Sequence, residues 1–229
     1  MSLNADPPPC PGPLGILGGT FDPPHHGHLA LARSVGERLG LERVWLIPAA
    51  WPPHKPPYAI TPFPLRAAMI QAAIAGDPRL GVSLIEQDTN GPSFSIDTLE
   101  RLAASEAKGR RLYFIIGSDA FADLPSWHRF AELPRLASLV VVSRIGQARQ
   151  ARIDELMRRH FPEFAPAADG RWQAAGKNDL LHLNLPVAGI SSTEVRDLAR
   201  RGEDLSGLVP APVAELIARR RLYTGQADP

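Results

Sequence analysis

LGILGGTFDPPHHGHL, running from Leu14 to Leu29, decides how the rest of the chain is read. Leu14 to Leu17 is a short apolar run of strand type that ends in Gly18-Gly19. From Gly27 to Leu39 the apolar residues Leu31, Val35 and Leu39 recur at helical spacing. A strand that passes through a glycine turn into a helix is the opening unit of an open α/β sheet, and such turns are where these sheets place their ligands. Gly18 and Gly19 allow a tight turn and a close approach of ligand to backbone. The N–H groups at the helix start favour an anion. His25 and His28 are three residues apart, so at a helical N-terminus they can face one ligand. No GxxxxGK[ST] string occurs in the chain, so the turn predicts a phosphate site of a kind other than the P-loop. Two other readings stand beside it. The glycines can form an ordinary turn with exposed histidines, and His25, His26 and His28 can form a metal cluster. No Cys or carboxylate of ligand spacing accompanies the histidines.

Outward from this stretch, apolar runs alternate with helix-like segments. Strands are predicted at Val44–Ile47, Val82–Ile85, Leu112–Ile116, Leu139–Val142 and, more weakly, Leu180–Leu185. LYFII and LVVV are dense, as strands covered on both faces should be. Helices are predicted at about Leu65–Ala75, Ser95–Ala107 (with Ile96, Leu99 and Leu102 on one face), Ser192–Arg201 and Pro212–Arg221. The pattern predicts an α/β fold: one domain over residues 14–224, with a Rossmann-like open parallel sheet and helices on both faces. Residues 1–13 read as a disordered, Pro-rich leader, and Pro48 to Pro64 as a long loop. Gln147 to Lys177 shows no clear period and is read as an irregular insertion.

Composition narrows the function. Of 229 residues, 44% are apolar and 21% charged, which fits a globular chain with a sizeable core. Lys plus Arg number 25 against 24 Asp plus Glu, so the net charge of +1 disfavours a partner bound through nucleic-acid backbone charge. The longest apolar runs, such as Ser138 to Ser143, fall far short of the ~20 residues that cross a bilayer. Cys10 is the single cysteine, so no disulfide can form within the chain. The start MSLNADPPPCPGP carries neither an apolar signal core nor a basic leader, and a reduced, cytoplasmic protein is expected.

The string GGTFDPPHHGHL resembles the signature of the nucleotidylyltransferase superfamily, whose HxGH motif is matched by His25, Gly27 and His28. Six further segments follow in that family's order: IPAAWPPHKP (Ile47 to Pro56), GPSFSIDTL (Gly91 to Leu99), FIIGSDAF (Phe114 to Phe121), LPSWHRF (Leu124 to Phe130), VVSR (Val141 to Arg144) and GISSTEVR (Gly189 to Arg196). Together they are similar to the bacterial nicotinate-nucleotide adenylyltransferases, which make deamido-NAD from ATP and nicotinate mononucleotide. The resemblance implies catalytic roles for His25, His28 and Arg196. It implies ATP contacts for Gly18, Gly19, Thr20, Phe21, Gly27, Asp119, Ser191, Ser192 and Thr193. For the mononucleotide it implies His54, Lys55, Phe94, Ser95, Trp127 and Arg144. Two departures stand out: Pro48-Ala49-Ala50 replaces an expected Asn, and Phe94-Ser95 stands where Tyr and Thr are usual.

Several of these residues have plainer readings by themselves. Ser191 and Glu194 have the spacing of a helix capping box, with Arg196 one turn in. His54 and Lys55 could be solvated loop charges, and Trp127 could be core packing. The chemistry implied by the resemblance is attack of the mononucleotide 5′-phosphate on the α-phosphorus of ATP, with pyrophosphate leaving. Such a transfer rests on positioning and charge stabilisation and requires no protein nucleophile. Mg2+ is expected on the polyphosphate, held mainly by phosphate oxygens and water, with no dedicated protein metal site. The expected partners are ATP and nicotinate mononucleotide, with no nucleic acid and no membrane, and a homo-oligomer is left open. The alternatives are a sister transferase acting on nicotinamide mononucleotide or phosphopantetheine, a catalytically silent nucleotide-binding module, and a metal-binding protein.

Overall fold

The computed structural model describes residues 12–53, 56, 60–89, 91–144, 150–186 and 189–224, with the side chain of Arg144 left out. The strands are β1 (Leu14–Gly19), β2 (Arg43–Pro48), β3 (Leu80–Val82), β4 (Leu112–Gly117), β5 (Ser138–Arg144), β6 (Ala165–Pro166), β7 (Arg171–Gln173) and β8 (Leu180–Leu185). They form one sheet in the order β3-β2-β1-β4-β5-β8-β7-β6. Pairing is parallel from β3 across to β8, and the two short strands at the far edge, β7 and β6, are antiparallel. The helices are α1 (His26–Leu39), α2 (Phe63–Ile74), α3 (Ser95–Ala104), α4 (Ser118–Ala122), α5 (Leu133–Leu136), α6 (Gln150–His160), α7 (Ser192–Arg201) and α8 (Ala211–Arg219).

Side chains alternate across a strand, and that alternation splits the apolar runs into two cores. Ile16, Trp45, Ile47, Phe114, Ile116, Leu139 and Val141 face one side and pack with Ile96, Leu99 and Leu102 of α3 and Ile153 and Met157 of α6. Leu17, Leu46, Ile115, Val140 and Val142 face the other, against Leu29 and Val35 of α1, Met69 and Ile70 of α2, Val195 of α7 and Ile217 of α8. From β1 the chain builds outward through β2 and β3, then returns to β1's other side with β4. That reversal opens a crevice beyond the carboxyl ends of β1 and β4, the place where open α/β sheets hold ligands.

Several boundaries move from their expected places. β3 lies at Leu80–Val82 rather than Val82–Ile85, because Leu80 and Val82 register with Val44 and Leu46 of β2. The chain then turns over residues 85–88, which swings Glu86 inward. α2 starts at Phe63, two residues early, because proline suits the first helical turn, where its missing N–H costs nothing. α3 ends at Ala104, three residues short, in turns over residues 105–109. The stretch read as an irregular insertion holds α6 and the antiparallel pair β6 and β7. Strands of two and three residues are too short to show any period in sequence. The expected leader, apart from Gly12 and Pro13, lies outside the described residues, as do His54 and Lys55. Among the described residues, no helix is long and apolar enough to cross a membrane.

Candidate active site

At the exit of β1 the backbone is tightly constrained. A Cβ on Gly19 would lie 3.2 Å from the Phe21 ring, whereas on Gly18 the nearest atom, on Phe114, would be 3.8 Å away. Phe21 holds φ at 51°, in the left-handed region, and its buried ring meets the edge of His28 at a centroid distance of 4.9 Å. His25 then caps α1 in an exchange made of two histidines. The His28 N–H donates to His25 Nδ1, and the His25 N–H donates to His28 Nδ1, each at 3.3 Å. The two rings stack at 3.6 Å. An Nδ1 that accepts a backbone N–H carries no proton, so in each neutral ring the proton sits on Nε2. The capping exchange thus makes Nε2 of both rings a hydrogen-bond donor.

The other chain end meets this turn directly. Ser191 caps α7 by accepting the Glu194 N–H at 3.1 Å, the serine half of the predicted capping box. Ser192 Oγ donates to the Pro23 carbonyl at 3.0 Å. Arg196 Nη1 donates to the Asp22 carbonyl at 2.8 Å, and its Nη2 to Thr193 Oγ1 at 3.2 Å. The guanidinium is therefore held in place by protein before any ligand arrives. His25, Gly27, His28, Ser118, Asp119, Ser191, Ser192, Thr193 and Arg196 line one open cavity of about 360 Å3. Gly27 in the first turn of α1 and Ser192 and Thr193 in that of α7 line this cavity, so two helix N-termini meet there, a favourable field for a polyanion.

A second cavity of about 330 Å3 adjoins the first and shares Gly117 with it. Gly18, Gly19 and Thr20 line this one instead, with Glu86, Phe94, Ser95, Phe114, Trp127 and His128. Phe21 lines neither cavity and supports His28 from within the core. Trp127 follows a 3-10 turn (Leu124–Ser126), half-buried, with its ring edge-on to Phe114 at 6.3 Å. Phe94 tilts against His128 at 4.6 Å. Arg144 ends β5, and its side chain lies outside the described residues.

Four polar residues went unassigned in the sequence. Glu86 is 6% exposed and accepts the Ala50 N–H at 3.1 Å and the Thr98 hydroxyl at 2.6 Å. The Ala49 N–H donates to Gly19 O at 2.8 Å. Where the resemblance implies an Asn, backbone groups of this segment thus tie the loop after β2 to its neighbours. Arg66 is 1% exposed, with Nε on the Thr61 carbonyl and Nη1 on the Thr20 carbonyl, both at 2.8 Å. Burial holds its guanidinium below the ordinary range, opposed by the charge of Asp22 and by Tyr223 and Glu86. The other two, Asp22 and Tyr223, hydrogen-bond each other. Only Arg66 carried a sequence signal: a charge within the apolar run of α2.

The cytidylyltransferase-like family model matches residues 16–198, spanning both cavities. This chain belongs to that family. A protein of Geobacter metallireducens named probable nicotinate-nucleotide adenylyltransferase is 40% identical over 92% of this chain and 97% of its own length. One of the same name from Dehalococcoides mccartyi is 39% identical over 93% and 97%. Within the cytidylyltransferase-like family the chain groups with these nicotinate-nucleotide adenylyltransferases. Among solved structures, Plasmodium falciparum nicotinic acid mononucleotide adenylyltransferase complexed with NaAD shares the fold, with a TM-score of 0.72 at 19% identity over 95% of this chain and all of that one. In this cytidylyltransferase-like fold the first cavity lies between α1 and α7, and the second beneath the start of α3.

Proposed function

We propose that the protein joins ATP and nicotinate mononucleotide to give deamido-NAD and pyrophosphate, a step of NAD biosynthesis. The observation that carries this reading is the stitching of α7 to the Asp22–Pro23 turn, which sets two helix N-termini, two histidines and an arginine around one cavity beside an aromatic one. ATP occupies the first cavity. Ser191, Ser192, Thr193 and Gly27 offer donors to its phosphates, and Asp119 faces its sugar or base edge. Gly18 and Gly19, with Thr20 on the wall of the second cavity, let the mononucleotide phosphate approach the backbone on its way to Gly117, where the cavities meet. Nicotinate mononucleotide occupies the second cavity, its ring on Trp127, with Phe94 and Ser95 at the α3 N-terminus toward its carboxylate. His54, Lys55 and Arg144 are assigned to its phosphate on the strength of the family pattern alone.

A phosphate oxygen of the mononucleotide attacks the α-phosphorus of ATP in line. A new P–O bond forms there as the bond to the β-phosphate oxygen breaks, and pyrophosphate carries the electron pair away. The nucleophile is already ionised near neutral pH, so no general base is needed. The protein's task is to hold two polyanions together and match the charge that develops. His25 and His28 do this by donating from Nε2, and Arg196 by its fixed positive charge. Mg2+ would enter with the ATP phosphates and offset part of their charge. The side-chain oxygens lining the first cavity are one carboxylate, Asp119, and hydroxyls, while His25 and His28 use Nδ1 on backbone N–H groups and present N–H at Nε2, which suits a cation held mainly by phosphate and water. A cytoplasmic location goes with these substrates.

The test is pyrophosphate release from ATP with nicotinate mononucleotide, nicotinamide mononucleotide or phosphopantetheine supplied side by side. Release fastest with the nicotinate acceptor supports the assignment. Preference for either alternative moves the chain to a sister activity, and no release with any acceptor removes catalysis.

A further inference from the structure

Asp22 is 3% exposed and lies inside the signature turn, yet no contact with the cavities explains its burial. Three remote parts of the chain converge on it. Its Oδ2 accepts the Thr61 N–H at 3.1 Å, its Oδ1 accepts the Tyr223 hydroxyl at 2.6 Å, and its main-chain carbonyl accepts Arg196 at 2.8 Å. Thr61 is in turn held through its carbonyl by Arg66, whose other arm holds Thr20. Phe21, next to Asp22, keeps a left-handed backbone that a bulky residue adopts only when its surroundings over-determine it. Tyr223, just beyond α8, has φ of 68° and is likewise held in an uncommon conformation. Burial first, and then the Asp22 charge, push its phenol well above the ordinary range, so it stays a donor.

We propose that Tyr223 is a positioning residue for the transfer reaction. Through its hydrogen bond to Asp22 it fixes the turn that carries Phe21 and the paired histidines, together with the carbonyl on which Arg196 docks. Tyr223 lines neither cavity and so acts through Asp22. The kinetic part of this inference rests on the adenylyl-transfer reading.

Tyr223→Phe keeps the ring and removes only the hydroxyl. A slightly misplaced set of transition-state donors should lower kcat about 10-fold, with KM for ATP and for nicotinate mononucleotide each within about twofold of the parent. A residue that merely packs the chain end would lower the melting temperature and leave kcat untouched well below it. Amide exchange, read by mass spectrometry on the same variant without substrates, should speed up at residues 20–28 and stay unchanged in β4. An unaltered kcat, a rise in both KM values at constant kcat, or unaltered exchange in the turn each overturns the proposal. Absence of turnover by the parent protein would instead sink the functional reading, and the exchange measurement alone would then decide on Tyr223.

Discussion

His25 and His28 each do two jobs with one ring: Nδ1 satisfies a backbone N–H at the start of α1 (that of His28 for one, that of the capping His25 for the other), and Nε2 is thereby fixed as a donor. His28→Ala removes both. Turnover should fall by about 10² or more, the scale of losing one transition-state donor, and assay at saturating substrates checks it. The capping loss should show separately as about 1 kcal/mol of stability in denaturant titration. Trp127→Ala should act on the other substrate, raising the KM for the mononucleotide while the KM for ATP stays put; a change confined to ATP would contradict the stacking role. The pairing of His25 and His28 was legible because a three-residue spacing at a helix start implies a shared direction, whereas Trp127 was singled out only by the family-like string it sits in. Glu86, Arg66 and Tyr223 were not legible. Each is a lone polar residue with at least one partner 12 or more positions away (Thr98 for Glu86, Thr20 for Arg66, Asp22 for Tyr223), and distance along the chain carries no sign of contact in space.

Between elements, the loop after β2 and the start of α3 are fastened by reciprocal bonds. Trp51 N donates to Ser93 Oγ and Ser93 N to the Trp51 carbonyl, while Glu86 joins Ala50 to Thr98. This sets the width of the aromatic cavity. Glu86→Gln can still accept from Ala50 and donate to Thr98, so it should bind the acceptor nearly as the parent does. Glu86→Ala leaves the Ala50 N–H without its acceptor, at a cost of about 1–3 kcal/mol, and loosens the wall. We expect its mononucleotide KM to rise about 10-fold, with the KM for ATP steady, in steady-state kinetics. Equal losses in both variants would point to the charge rather than the bridge. The central strands could be placed as dense apolar runs because both their faces are buried. Helices α1, α3 and α7 could be placed from their helical period because one face of each is buried, whereas α6, β6 and β7 were missed. The ends of the placed elements could not be read: β3 slid to match β2, and α3 stopped in a tight turn.

Across the whole molecule, a directed chain of hydrogen bonds closes the side of the sheet beyond β5. Asp154 can only accept, so Gln150 turns its NH2 toward it and offers Oε1 to His182 Nδ1. His182 Nε2 then accepts from the buried hydroxyl of Ser143. Burial, opposed by Asp154, holds the His182 imidazole below its ordinary 6.5. The unfolded chain therefore takes up this proton at a higher pH than the native one does. Stability from this source is whole above the ordinary value and shrinks as pH falls below it toward the folded value. Melting temperature should drop between about pH 7 and pH 5, and drop less in His182→Gln, whose amide can serve both partners. His160, lowered chiefly by burial, adds a component of the same sign that this variant leaves in place. Identical curves for the two proteins would clear His182. By itself the sequence determined the alternating sheet, the glycine turn between β1 and α1 and the family, because backbone period, glycine placement and contiguous motifs are local properties of a chain. Only the tertiary structure decided that Ser192 and Arg196 reach back to Asp22 and Pro23, that Tyr223 and Arg66 stand behind the turn, and that two cavities meet at Gly117. Those contacts follow from which elements the sheet order sets side by side, and that order is fixed by burial summed over the entire fold.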